Sequence, residues 1–204
     1  MTDSGVNTLE YSAGAVSKGF WFQEFKKYNT LLNEGLEDGE IKKMQEEENI
    51  LLAPSADYGK KMINEVSKRT KALPTKISTM FIDLPVSDQK ILNLLGIMMT
   101  DRLFFEYMYE VYREKIITGN LQFDNSDTRV FLKNKSEQST KVANFTSQTK
   151  KRLAGAYGTY LKEANLIVEV EGSVEIRRPI LDIDLENRMK DKDLAPYLRA
   201  FLGE

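Results

Sequence analysis

Apolar residues recur at helical spacing through most of this chain, and strand signals are confined to a short stretch near its C-terminal end. In residues 17–35, Phe20, Phe25, Tyr28, Leu31 and Leu32 share one helical face, and Gly35 is a natural stop. The neighbouring aromatics Phe20, Trp21 and Phe22 read as core, because rings of that size bury large areas. Asp38 is suited to cap a helix over 38–50 with Ile41 and Met44 inward, while Glu46, Glu47 and Glu48 point in different directions around it and read as solvated. Ser55 caps a helix to residue 72 that turns Met62, Ile63 and Val66 inward and carries Lys60, Lys61, Lys68, Arg69 and Lys71 on its polar side. Pro74 and Pro85 punctuate the next stretch, bracketing a short helix over 75–83. Helices over 89–99 and 101–117 follow, and their broad apolar faces place them at the centre of the core.

Two short helices are expected over 126–133 and 136–143, then a long one capped by Thr146 and running to 165. In that long helix Leu153, Tyr157, Tyr160, Leu161 and Ala164 form an apolar stripe. Strands over 166–170 and 174–180 meet at a Gly172–Ser173 turn, and short helices over 185–190 and 194–201 close the chain. The expected fold class is mainly α, a helical bundle with a C-terminal winged-helix-like unit that includes one small β-hairpin. The expected division is an N-terminal helical domain (1–125), with a candidate helix-turn-helix at 38–72, and a C-terminal winged-helix-like domain (126–204).

Composition removes several function classes. At 204 residues, 41% hydrophobic and 29% charged, the chain is an ordinary globular one, able to bury one substantial core or two small ones. It has no cysteine, which excludes disulfides and thiolate chemistry and fits a cytoplasmic location. It has no histidine either, so no Ser-His-Asp or Cys-His triad and no imidazole metal ligand can form. No cofactor or metal is called for. The start lacks the basic and apolar regions of a secretory signal. The longest apolar run, 91–99, falls short of the roughly 20 residues that span a bilayer, so no membrane association is expected.

The net charge of −2 conceals segregation. Residues 34–48 hold seven acids against Lys42 and Lys43, residues 60–76 hold six bases against Glu65, and residues 133–162 hold seven bases against Glu137. Basic patches on an acidic protein can govern its association. Over 136–180 the order helix, turn, helix, hairpin is that of a winged helix-turn-helix, whose second helix presents polar groups to a DNA groove while cations neutralise phosphates. Thr146, Ser147, Gln148, Thr149, Lys150, Lys151 and Arg152 would supply those groups, with Arg177 and Arg178 setting the hairpin against a neighbouring phosphate. Lys60, Lys61, Lys68 and Arg69 would do the same for the upstream helix pair.

Several segments resemble the BrxA family of BREX phage-defence systems, small proteins also described as NusB-like. They are Tyr11-Ser12-Ala13-Gly14 before an aromatic-rich helix, Glu40-Ile41, and Glu47-Glu48-Asn49-Ile50-Leu51 followed by Ser55 and Arg69. Thr149-Lys150-Lys151-Arg152-Leu153 and Leu161-Lys162-Glu163-Ala164-Asn165-Leu166-Ile167 complete the set, with Asn165 where the family favours glycine. The resemblance runs over nearly the whole chain, although 74–127 matches only in hydrophobic pattern. It implies a non-enzymatic accessory protein that binds double-stranded DNA and works beside other BREX defence proteins. The NusB-like label would point to RNA instead.

Two other readings compete. One is a scaffold that docks defence components, using the acids of 34–48 against a basic partner. The other is a carboxylate-dependent nuclease or hydrolase built on Asp182, Asp184 and Glu186, which lacks a supporting lysine and acid framework.

Overall fold

A computed structural model describes residues 9–204. The N-terminal third is a set of packed helices, α1 (Phe22–Asn33), α2 (Asp38–Glu48) and α3 (Ala56–Ala72), preceded by a single 3-10 turn at Gly14–Ser17. The first helix starts later than the apolar pattern predicts. Trp21 adopts a left-handed conformation (φ 50°), which ends the incoming segment and leaves Phe20 in a loop. Asp38 does not cap α2 either. Glu37 does so in a reciprocal capping box with Glu40, which leaves the Asp38 carboxylate for other partners. Ser55 caps α3 as expected, accepting from the Tyr58 N–H.

After a short α4 (Thr75–Ser78), α5 (Val86–Thr100) runs through the middle of the molecule with residues 91–98 all buried. Glycine is needed at one crossing. A side-chain carbon at Gly96 would stand 2.9 Å from the Arg69 carbonyl oxygen, so only a bare backbone lets α3 and α5 approach there. Next, α6 (Arg102–Tyr107), capped by Asp101, continues through a π-helical turn at Met108–Tyr112 into α7 (Arg113–Thr118). The sequence predicts the extent of this helix but not its π turn, on which α12 (Ala195–Leu202) packs.

Residues 125–138 form one helix where two are predicted: α8 (Asn125–Gln138) is continuous, and the break falls at Ser139, which caps α9 (Thr140–Ala143). Ser136 starts no helix; its hydroxyl bonds back to the Leu132 carbonyl. Thr146 caps α10 (Ser147–Glu163), whose apolar stripe is buried as predicted. Asn165 then turns the chain in a left-handed conformation into β1 (Ile167–Val170), paired antiparallel with β2 (Ser173–Ile176). The turn is Glu171–Gly172, both at positive φ, rather than Gly172–Ser173. Residues 121–123 add a third rung through a Gln122–Glu175 bridge and the Phe123 N–H to Val174 carbonyl bond. A final pair, α11 (Ile183–Met189) and α12, closes the fold.

One contiguous hydrophobic cluster runs from Ala15 to Leu202, crossing residue 125 without a gap. Residues 10–18 are tied to the second half of the chain. Lys141 pairs with Glu10, Tyr11 donates to Glu106, and the Tyr160 hydroxyl donates to the Lys18 carbonyl at 2.7 Å. No helix among the described residues is long and apolar enough to cross a membrane.

Candidate nucleic-acid interface

The local sequence of α8 gives it two unlike faces. Thr128, Phe131, Leu132 and Lys135 recur at i, i+3, i+4 and i+7 and are buried, while Arg129 and Lys133 stand one turn apart on the exposed side. Lys135 is buried because it is matched: its ammonium lies 2.6 Å from both Glu106 and Glu110. Burial alone would lower the Lys135 pKa, but hydrogen bonds to Glu106 and Glu110 outweigh it and hold the pKa above its ordinary value. This pairing, with the Thr128 hydroxyl donating to Tyr107 at 3.2 Å, fixes α8 against α6 and the π turn.

With α8 held in place, its exposed face forms one wall of a cleft of about 590 Å³, and the first half of α10 forms the other. Buried Leu132 and Ala154 make the floor, and Arg129, Lys133, Lys150 and Lys151 line it together with Asn125, Ser136, Ser147 and Gly155, with no carboxylate among the lining residues. None of these four cations has an ion-pair partner among the described residues. A second cleft, on the hairpin side of α10, is lined by Gly155, Gly158 and Lys162. The helix thus stands as a ridge between two grooves, with Lys151, Gly155 and Lys162 all exposed.

The predicted residues fall into separate places. Thr146 and Thr149 are occupied in the helix cap, the Thr149 N–H donating to the Thr146 hydroxyl at 3.1 Å, whereas Ser147 and Gln148 are exposed. Arg152 faces away from the four-cation cleft. It donates weakly to the Val16 carbonyl and shares a different cleft with Tyr58, three residues before Lys61. Lys60, Lys61 and Lys68 are exposed on α3.

Arg69 is not on that surface. It is fully buried, with its guanidinium donating to the Phe20 and Gly19 carbonyls at 2.7 and 2.8 Å. The indole of Trp21 lies 5.5 Å from it, and the Asn93 side chain joins it at the Phe20 carbonyl. A loop turned by left-handed Trp21 exposes these carbonyls to the interior, and Arg69 satisfies them.

Arg177 and Arg178 are likewise not where the hairpin would carry them to a phosphate beside the start of α10. β2 ends at Ile176, the Arg177 N–H bonds the Leu166 carbonyl, and Arg178 pairs with Glu204. That is the far end of α10 from Lys150, about 20 Å away at the helical rise. The hairpin itself carries Glu169, Glu171 and Glu175. Of the carboxylates weighed for metal chemistry, Asp182 caps α11 through the Asp184 and Leu185 N–H groups, and no metal-holding cluster occurs among the described residues.

Arg129 is the residue that sequence reasoning missed, and Lys133 was counted only as part of a charge run. Their signal is the four-residue spacing opposite Phe131, present already in a helix over 126–133, but only the packing of α8 on α10 joins them to Lys150 and Lys151.

Comparison with known proteins gives the family context. The BrxA family profile matches residues 9–193. A Bacillus cereus (strain H3081.97) protein named BREX protein BrxA is 32% identical over 199 residues, covering 98% of this chain and all of that one. A crystal structure of an uncharacterized protein from Magnetospirillum magneticum shares the fold, with a TM-score of 0.76, 13% identity, and coverage of 96% of this chain and all of the other.

Proposed function

The chain belongs to the BrxA family of BREX phage-defence components, and on that premise we propose that it is a non-enzymatic accessory protein that binds duplex DNA through α10 and α8. One observation carries this reading: four cations on two helices converge on one solvent-facing cleft that no carboxylate lines. Positive charge without ion-pair partners at that density is what a phosphate backbone recognises, and the release of its counterions supplies much of the affinity. The order α7, single rung, α8, α9, α10, hairpin supports a winged-helix reading in which α10 enters the groove. Exposed Gln148 and Lys151 would then reach base edges or backbone. The acidic hairpin is unsuited to phosphate contact, so α8 takes the part that the sequence pattern gives to Arg177 and Arg178. Other BREX proteins are the expected protein partners.

Fluorescence-anisotropy titration of labelled duplex DNA at several salt concentrations tests the reading. The wild-type protein is expected to bind with steep salt dependence. Changing Arg129, Lys133, Lys150 and Lys151 to Glu should weaken binding to every sequence alike and flatten the log–log salt slope by about 0.9 for each phosphate no longer neutralised. Full affinity in the folded quadruple variant would remove the cleft from the interface. Tighter binding of duplex RNA than of duplex DNA would favour the NusB-like alternative.

A further inference from the structure

The cleft between α8 and α10 offers more space than phosphate contact requires. Lysines on a flat helix face neutralise a DNA backbone with no cavity behind them. Here the cations line a cleft of about 590 Å³, and sites for small molecules typically occupy about 300–1,000 Å³. The floor, Leu132 and Ala154, is apolar, and Asn125 and Ser136 add neutral hydrogen-bonding groups to the lining.

These features fit one ligand chemistry together. A bare phosphate would leave the floor unused, and a purely apolar molecule would leave four cations without counter-charge. A flat heterocycle joined to a phosphate uses both. Arginine and aliphatic lysine stems can also cover a base face, so the absence of an aromatic side chain from the lining is no obstacle.

We propose that this cleft is a nucleotide site, with the base against the Leu132–Ala154 floor and the phosphate on the rim formed by Arg129, Lys133, Lys150 and Lys151. It rests on the DNA reading only for one of its two sources, an unpaired nucleotide in bound DNA. The other source is a free nucleotide, which would compete with duplex for the same four cations.

The test uses the full chain and three ligands: ATP by calorimetry, a perfect labelled duplex by anisotropy, and the same duplex carrying one unpaired nucleotide. Ser136→Leu fills the cleft without removing charge. It is expected to lower affinity for ATP or for the unpaired-nucleotide duplex by about tenfold or more, a discrimination of ordinary size for a filled pocket. Affinity for the perfect duplex should stay the same. Asn125→Leu, at an exposed position at the start of α8, obstructs the same cleft and replaces Ser136→Leu should that variant fail to fold.

ATP that binds and displaces the perfect duplex identifies free nucleotide as the source. A preference for the unpaired nucleotide with no ATP binding identifies DNA. Equal affinity for the two duplexes with no ATP binding, or nucleotide binding that ignores both variants, overturns the proposal. Failure of the wild-type protein to bind the perfect duplex overturns the DNA reading instead, and the ATP titration then decides the cleft by itself.

Discussion

Lys68 and Arg69 are adjacent in α3, both basic, and the helix turns one to solvent and the other into the core. Arg69→Met keeps most of the volume but leaves the Gly19 carbonyl without its donor and the Phe20 carbonyl with Asn93 alone. A loss of about 3 kcal/mol in urea denaturation is expected, with duplex affinity of the folded protein unchanged. Lys68→Met should shift stability by less than about 0.5 kcal/mol. Asp38 is a second residue with work beyond its own helix. Its carboxylate accepts from Tyr28 at 2.6 Å and Ser67 at 2.7 Å, and pairs with Lys42 and Lys71. Burial would push its pKa up, but hydrogen bonds from Lys71, Ser67, Tyr28 and Lys42 outweigh it and hold the carboxyl well below its ordinary value. A depressed folded-state pKa contributes stability that is full above the unfolded value, near about 4, and fades as pH falls through the folded one. Asp38→Asn should therefore cost about 2 kcal/mol at neutral pH, with the gap to wild type narrowing progressively below about pH 4, read from urea midpoints across that range.

At the scale of elements, the β-turn offers a direct check on local strain. Glu171 occupies a left-handed position at φ 49°, where asparagine is better tolerated, so Glu171→Asn should raise stability by about 0.5 kcal/mol or more in thermal unfolding. The mainly α character, most helix extents and the caps at Ser55 and Thr146 were legible in the sequence, because apolar periodicity and capping chemistry are local. What was not legible depended on distant partners. Ser136 resembled a cap until the buried pairing of Lys135 with Glu106 and Glu110 showed α8 continuing through it. Arg69 resembled a surface cation until the Trp21 loop supplied carbonyls for it. The four-cation cleft was half legible: Lys150 and Lys151 follow from the cap at Thr146, whereas Arg129 and Lys133 join them only through the packing of α8 on α10.

For the molecule as a whole, the decisive fact is a core with no gap at residue 125. Far-UV ellipticity, which reports every helix, and Trp21 emission, which reports the Arg69 loop, should trace a single coincident urea transition. Two separated transitions would show that residues 1–125 and 126–204 unfold independently. The segment around Glu10–Lys18 bears on how such a core is reached. Two of its fastening points, Lys141 and Tyr160, lie more than a hundred residues downstream, 142 in the case of the Lys18 carbonyl. On a ribosome adding about 5–20 residues per second, that partner emerges on the order of ten seconds after Lys18 does. Lys18 can meet Glu65, and Tyr11 can meet Glu106, before then, but the Lys18 carbonyl gains its Tyr160 donor only when α10 appears, so a message truncated before α10 would leave the Glu10–Lys18 segment incompletely secured.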